Sequence, residues 1–389
     1  MAEKGHDVTD RTPAILVLAD GRTFRGYGFG ATGTTLGEAV FTTAMTGYQE
    51  TMTDPSYHRQ IVVSAAPHIG NTGWNDEDNE SHDNQIWVAG LVIRDLAKRV
   101  SNWRAERSLE EEMASQSVVG IYGVDTRTVV RHLRTEGSIA AGIFIGDAAR
   151  ASVDTLVARV NEQPSMAGAD LADEVSTDKP YTVSAKGEKR YTVVAYDMGI
   201  KSATPGHFAD RGIETIVVPA NTPYSEITQY NPDGVFISNG PGDPATADAM
   251  VNVTRDVIAA GVPLFGICFG NQILGRALGL GTTKMKFGHR GVNVPVKNHL
   301  TGKIDITSQN HGFVLEAPVG PGESFDTDFG PALVTHTCLN DGSIEGVALE
   351  SGMAYSVQYH PESAAGPHDA NPLFDQFIEL MDNASPNKK

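Results

Sequence analysis

Cysteine is almost missing from this chain: 389 residues contain two, Cys268 and Cys338. So few exclude a disulfide framework and suit a reducing compartment, so a cytoplasmic location is expected. Basic residues are also short. Thirty Lys and Arg face 48 Asp and Glu, for a formal net charge of −18, and phosphate-rich partners such as nucleic acid or an anionic membrane would be repelled. No apolar run approaches the roughly 20 residues of a membrane span. Met1 to Pro13 is polar with mixed charge and has no signal-peptide core. Internal repeats, low-complexity tracts and dense His/Cys/Asp clusters at metal spacing are not visible, so no metal is expected. A soluble globular protein of two or three domains remains.

The two halves follow different patterns. In the first, Ala14 to Leu18 and Thr23 to Tyr27 flank Asp20-Gly21, a hairpin signal. Apolar runs follow at Ala39 to Thr43, Ile61 to Ala65 and Trp87 to Ile93. Helices are expected over Ser108 to Ser117 and Thr126 to Thr135, with Ser108 and Asp125 as caps. This half reads as α+β with a largely antiparallel sheet. Between Gly168 and Arg190 periodicity is lost and a linker is expected. From Tyr191 buried strands alternate with helices: strands at Thr192 to Tyr196, Thr215 to Pro219, Gly234 to Ser238 and Val262 to Ile267, helices at Ser202 to Asp210 and Thr246 to Ala260. That alternation implies a mostly parallel sheet flanked by helices, with ligands at the strands' C-terminal ends. After Lys284 hairpins return, and Met353 to Gln358 is a further strand.

Cys268 sits in Gly266-Ile267-Cys268-Phe269-Gly270, between a strand and the helical stretch Asn271 to Leu278. A lone buried cysteine is more often a small hydrophobe. Two glycines in a strand–turn–helix context instead match a nucleophile elbow, a strained turn presenting a reactive side chain on a helix N-terminus that favours a thiolate. A thiol nucleophile needs a base, an orienting group and an oxyanion hole. His360, in Gln358-Tyr359-His360-Pro361-Glu362 at the end of a strand, is the candidate base, and Glu362 the group that orients it. Alone, His-Pro-Glu would pass for a surface turn. Ser238-Asn239-Gly240-Pro241-Gly242-Asp243-Pro244 is the candidate oxyanion loop, though taken alone it would pass for an ordinary turn. Gly28 to Gly33 matches G-x-G-x-x-G, but no helix pattern follows, so dinucleotide binding is not expected. Gly199-Ile200-Lys201-Ser202 matches only the tail of a P-loop.

Gly266 to Gln272 with His360-Pro361-Glu362 resembles the class I (triad) glutamine amidotransferases. Ser238 to Pro244, Lys284 to His289, Gln309 to Phe313 and Gly366 to Asp369 narrow the resemblance to the small-subunit family of carbamoyl-phosphate synthase. So do Met45 to Glu50, Thr53 to Tyr57 and Pro67 to Asn71 in the first half. The resemblance implies an α/β protein in three parts: a small-subunit domain over 1–167, a linker over 168–190 and an amidotransferase domain over 191–389. It also implies Cys268, His360 and Glu362 as catalytic residues, with L-glutamine bound by Ser56, Gly240, Gly242, Phe269, Gln272, Asn310, Gly312 and Phe313. Ser56, placed in the first domain, would then put the site at a domain interface. Phe313 would otherwise be a core aromatic.

The implied partner is the large synthetase subunit, which would carry ATP and a divalent metal. No cofactor is expected in this chain, and the product would feed arginine and pyrimidine synthesis. Phe269, Asn271 and Tyr359 depart from the residues frequent in relatives (Leu, His and Gly), and none of these exchanges removes a catalytic group. A subunit serving another acceptor, a stand-alone cysteine hydrolase and a non-catalytic scaffold are the competing readings. The first domain opposes the first two, and the intact Cys268, His360 and Glu362 oppose the third.

Overall fold

A computed structural model describes residues 11–363 and 365–384. Most of the polar stretch Met1 to Pro13, its first ten residues, therefore lies outside the described residues. The chain divides into two compact units: residues 1–52, 59–78 and 85–165 form the first, and residues 53–58, 79–84 and 166–389 the second.

The first unit is a closed barrel. Its strands are β1 (Pro13–Leu18), β2 (Thr23–Gly30), β3 (Thr34–Thr42), β4 (Gln60–Ser64), β6 (Gly90–Val92), β8 (Val119–Tyr122) and β9 (Ile139–Ile145), in the order β1-β2-β8-β6-β4-β3-β9. A separate ribbon pairs β5 (His68–Ile69) with β7 (Asp95–Leu96). The largely antiparallel sheet expected here is in fact mixed, because β3–β4, β4–β6 and β6–β8 pair in parallel. Long connections explain this. Parallel neighbours need crossovers of about a dozen residues or more, and these three connections carry α1 (Tyr48–Thr53), the ribbon and α2 (Leu109–Ser115). Ser108 caps α2 in a reciprocal box with Glu111, and Asp125 caps α3 (Thr126–Glu136). Period-two alternation divides β1 between two cores. Leu16 and Leu18 pack with Val129 and Leu133 of α3, whereas Ile15 and Val17 pack with Leu156 and Val160 of α4 (Val153–Asn161).

The second unit is built on an eleven-stranded sheet. The stretch 168–190, expected as a linker, contains α5 (Ala172–Val175) and β10 (Tyr181–Val183), and β10 pairs antiparallel along the sheet's edge. Next come β11 (Tyr191–Asp197), α6 (Ala203–Ala209), β12 (Ile213–Pro219), α7 (Tyr224–Ile227), β13 (Gly234–Ile237), α8 (Asp248–Ala259), β14 (Leu264–Ile267) and α9 (Phe269–Ala277). The antiparallel part comprises β15 (Gly281–Asn298), β16 (Ile304–Glu316), β17 (Ser324–Thr327), β18 (Gly330–Cys338) and β19 (Ile344–Leu349). The chain then enters β20 (Ala354–Val357) and α10 (Leu373–Ala384).

Within this sheet the stretch β12-β11-β13-β14-β20 is parallel and the rest antiparallel, so the sheet is mixed rather than mostly parallel. Alternation again assigns the faces. Val194 and Tyr196 meet Met250 and Val257 of α8 and Ile273 and Leu274 of α9, while Val193 and Ala195 meet Phe208 of α6 and Phe374, Phe377 and Met381 of α10. Helices thus cover both faces of the parallel stretch, which leaves its C-terminal edge for a site. The helix α10 is a finding of the structure that the sequence reading lacks, although Phe374, Phe377 and Met381 keep helical spacing.

Candidate active site

β14 runs buried between β13 and β20 and ends at Ile267, directly before Cys268. Cys268 has φ 56° and ψ −100°, a conformation a side-chain-bearing residue holds at a strain of about 1–3 kcal/mol. Surrounding bonds impose it. The Cys268 N–H donates to the Val357 carbonyl at 2.9 Å, the Gly270 N–H to the Ser238 carbonyl at 3.1 Å, and the Gln272 N–H to the Cys268 carbonyl at 3.2 Å. Both flanking glycines are required by close approach. A Cβ on Gly266 would lie 2.6 Å from the Gly270 carbonyl oxygen, and one on Gly270 would lie 2.2 Å from that of Ile237. The elbow read from sequence is therefore a physical necessity of the packing.

β20 pairs with β14 in parallel, and His360 follows three residues beyond it. The imidazole is buried. Its Nδ1 lies 2.6 Å from Glu362 Oε1, and its Nε2 has no hydrogen-bond partner among the described residues. Burial and the Lys201 ammonium oppose protonation of His360, but Glu362 and Cys268 outweigh them and lift its pKa to about 10. Burial alone would raise the Glu362 carboxyl; His360 and Lys201 instead hold it down to about 2. An imidazolium–carboxylate pair results. Cys268 acts on the charge of His360, yet its thiol here donates to the Asn310 carbonyl, with Sγ 3.6 Å from the oxygen.

Lys201, which in the sequence matches only the tail of a P-loop, joins this set. Its Nζ lies 3.7 Å from Asp54 Oδ2 and 3.9 Å from Glu362 Oε1. Although burial disfavours its charge, Asp54, Glu80 and Glu362 raise its pKa and keep it protonated. The turn before it is held by Asp197, whose Oδ1 accepts from the Gly199 and Ile200 N–H groups at 2.9 and 2.8 Å. Asp54 also accepts from Asn310 Nδ2 at 3.1 Å and, through Oδ1, from the Ser56 N–H at 2.9 Å. Sequence reasoning gave Asp54 no role and placed Lys201 only in a P-loop tail and Asn239 only within the Ser238 to Pro244 loop, because their partners Glu362, Ser56 and Asn310 lie far away in the chain.

The eight expected glutamine-binding residues all fall in the second unit. Ser56, expected in the first domain, lies in the segment 53–58 that belongs to the second unit. Its hydroxyl accepts from Asn239 Nδ2 at 2.9 Å, and the same nitrogen donates to the Gly199 carbonyl. Gly240 and Gly242 are fixed by crowding: their Cβ atoms would meet the Met198 and Ala169 carbonyl oxygens at 2.1 and 2.7 Å. Phe269 opens α9 with its ring in the core. Its N–H stands at the positive end of the helix, in the first turn, where the helix itself supplies no acceptor. Gln272 Nε2 donates to the Phe313 carbonyl at 2.9 Å and to Gln358 Oε1 at 3.1 Å. Asn310, Gly312 and Phe313 lie along β16, and the Phe313 ring packs on Met166 and Leu171. Gly28 to Gly33 runs from β2 toward β3 and opens no helix.

This arrangement offers a strained thiol, a buried imidazolium–carboxylate pair, a helix-terminal N–H and polar side chains that surround them. Residues 16–143 match the carbamoyl-phosphate synthase small chain CPSase domain, and residues 194–380 match the class-I glutamine amidotransferases. The carbamoyl phosphate synthase small chain of Corynebacterium efficiens is 72% identical over 377 residues, covering 97% of this chain and 94% of the relative. That of Corynebacterium diphtheriae is 72% identical over 372 residues, covering 96% and 98%. That of Mycobacterium tuberculosis is 63% identical over 371 residues, covering 95% and 98%. Among solved structures, a glutamine amidotransferase from Thermotoga maritima is 15% identical and covers 52% of this chain and 86% of its own, with a TM-score of 0.35. With such identity to its relatives along nearly its whole length, this chain belongs to the carbamoyl phosphate synthase small chain family and is its glutamine amidotransferase subunit.

Proposed function

We propose that this glutaminase subunit hydrolyses L-glutamine to glutamate and ammonia through a thioester on Cys268, and that a large synthetase subunit receives the ammonia for carbamoyl phosphate synthesis. One observation supports the chemistry above all others: Cys268 is strained at the C-terminal edge of the parallel stretch, beside the buried His360–Glu362 pair. With His360 already an imidazolium, the Cys268 thiol gives its proton to solvent, and the thiolate attacks the side-chain amide carbon. The carbonyl becomes an oxyanion, held by N–H groups of Phe269 and of the Gly240–Gly242 loop. The imidazolium then gives its proton to the leaving nitrogen, so ammonia departs and the γ-glutamyl thioester remains. Neutral His360 next takes a proton from water, hydroxide attacks the thioester, and collapse releases glutamate and the Cys268 thiolate beside the restored imidazolium. Glu362 holds the imidazole through Nδ1 and stabilises its charged form.

In this reading Ser56, Gln272, Asn310, Gly312 and Phe313 shape the glutamine pocket, with the last contributing its backbone. The partner supplies the ATP and divalent-metal chemistry, the complex is a cytoplasmic heterodimer, and the product serves arginine and pyrimidine synthesis. A Cys268→Ser variant reconstituted with its large subunit tests the assignment. Glutamine-dependent synthesis should vanish while ammonia-dependent synthesis survives; equal loss of both would overturn the nucleophile.

A further inference from the structure

The antiparallel part of the second unit buries a second set of reactive side chains. His289 on β15, Cys338 at the end of β18 and Glu345 on β19 each offer one ligand atom, and these atoms all lie within 4.8 Å of one another. Cys338 is 1% exposed, Glu345 is fully buried and His289 is nine-tenths buried. The imidazole is held from one side. His289 Nε2 lies 2.9 Å from Asp341 Oδ2, in the turn between β18 and β19. The opposite nitrogen, Nδ1, stands 3.3 Å from Glu345 Oε1 in an ion-pair contact and has no hydrogen-bond partner among the described residues. The turn is rigid, since Asp341 Oδ1 accepts from the N–H and hydroxyl of Ser343 while the Cys338 N–H donates to the Ser343 carbonyl. Glu345 is oriented too, accepting from Gln309 Nε2 at 2.9 Å through Oε2.

We propose that His289, Cys338 and Glu345 bind a divalent cation of the zinc class through Nδ1, Sγ and a carboxylate oxygen. Imidazole, thiolate and carboxylate together form a borderline-soft donor set that suits zinc or cobalt better than magnesium or calcium. A carboxylate on the far nitrogen of a histidine is the usual means of aiming the other nitrogen at a metal, and Asp341 occupies that place. Donors around a tetrahedral zinc with bonds of about 2.0–2.3 Å stand roughly 3.5 Å apart, so closure needs shifts of about 1 Å. On binding, the Cys338 thiol releases its proton to solvent and His289 coordinates as neutral imidazole. Three protein ligands leave a fourth position for water. Because Gln309, which steadies Glu345, directly precedes Asn310, the cation would brace β16 behind the glutamine-binding strand. The rival explanation is a bare His289–Glu345 ion pair, in which the thiol has no part.

Cobalt titration of the metal-free full chain separates the two. One equivalent should bind with a thiolate-to-cobalt charge-transfer band in the near ultraviolet. The chain's two cysteines make the assignment clean: the band should persist in Cys268→Ser and disappear in Cys338→Ser. Should Cys338→Ser fail to fold, Cys268→Ser still decides, because only Cys338 remains to give the band. Asp341→Asn, which leaves all three ligands in place, should weaken binding about 10- to 100-fold. Zinc should displace cobalt and raise the melting temperature of the unsubstituted chain. Absence of the band in the unsubstituted chain, or its loss in Cys268→Ser, overturns the proposal.

Discussion

At the scale of single residues, the site is governed by buried charges that stabilise one another. Lys201, His360 and Glu362 are each nearly removed from water; the Glu362 carboxylate supports the charge of both cations and is held by them in turn, whereas Lys201 opposes the charge of His360. Removing one partner of such a set leaves an uncompensated charge, at about 3–5 kcal/mol. Glu362→Gln should therefore lower thermal stability by that order. It should also reduce glutamine hydrolysis about 10²- to 10⁴-fold, mainly in kcat, because the imidazolium loses its support. The pH dependence has a definite sign. A Glu362 pKa held down to about 2 gives stability that is full above the ordinary carboxylate range of about 4 and is lost as pH falls toward 2. A His360 pKa raised to about 10 gives stability that is full below its ordinary value of about 6.5 and is lost as pH rises through 10. Melting curves of the variant and parent should thus differ most between those limits and converge outside them. A constant difference across pH would contradict the pairing.

At the scale of elements, the elbow depends on backbone that approaches backbone. The G-x-C-x-G pattern was legible because glycine is the only residue that allows such contacts, so the chemistry of the turn is written in its composition. Gly270→Ala places a methyl 2.2 Å from the Ile237 carbonyl oxygen, a contact that cannot be relieved by a flexible side chain. Overpacking of this kind costs about 1–3 kcal/mol, and the melting temperature should fall by several degrees together with glutaminase activity. A stable and active Gly270→Ala chain would show that the elbow tolerates rearrangement.

α10 presents the opposite case. Its helical spacing is present in the sequence at Leu373, Phe374, Phe377 and Met381, and Phe377 is fully buried against Phe208 and Phe265. Phe377→Ala should destabilise the second unit by about 3–5 kcal/mol, measurable by denaturant unfolding. Because this aromatic cluster lies on one face of the sheet, activity at temperatures well below melting should change little.

At the scale of the whole molecule, the excess of acidic residues acts as a diffuse repulsion. A net charge of −18 opposes compaction, and salt screens it. Raising monovalent salt from about 10 mM to about 200 mM shortens the screening length from roughly 30 Å to under 10 Å. The melting temperature should rise over this range. A fall would mean that favourable surface pairs, such as Arg107 with Asp76 and Arg255 with Asp328, dominate the balance instead. The same scale shows where reading along the chain is weakest. Pairing direction in the barrel, the mixed character of the large sheet and the inclusion of residues 53–58 in the second unit are all relations between distant segments.

The sequence alone determined the strained thiol turn, the His360-Pro361-Glu362 motif and the alternation of strands and helices after Tyr191. Each of these is local: it depends on residue type at short spacing, where sterics and periodicity act directly. Only the tertiary structure decided that Lys201 stands between Asp54 and Glu362, that Ser56 meets Asn239, and that His289, Cys338 and Glu345 converge. These groups are brought together by sheet order and long connections, and no property of the intervening residues encodes their distance. Burial then does the rest, because removing such groups from water makes their charges and lone pairs depend on the few neighbours that the fold supplies.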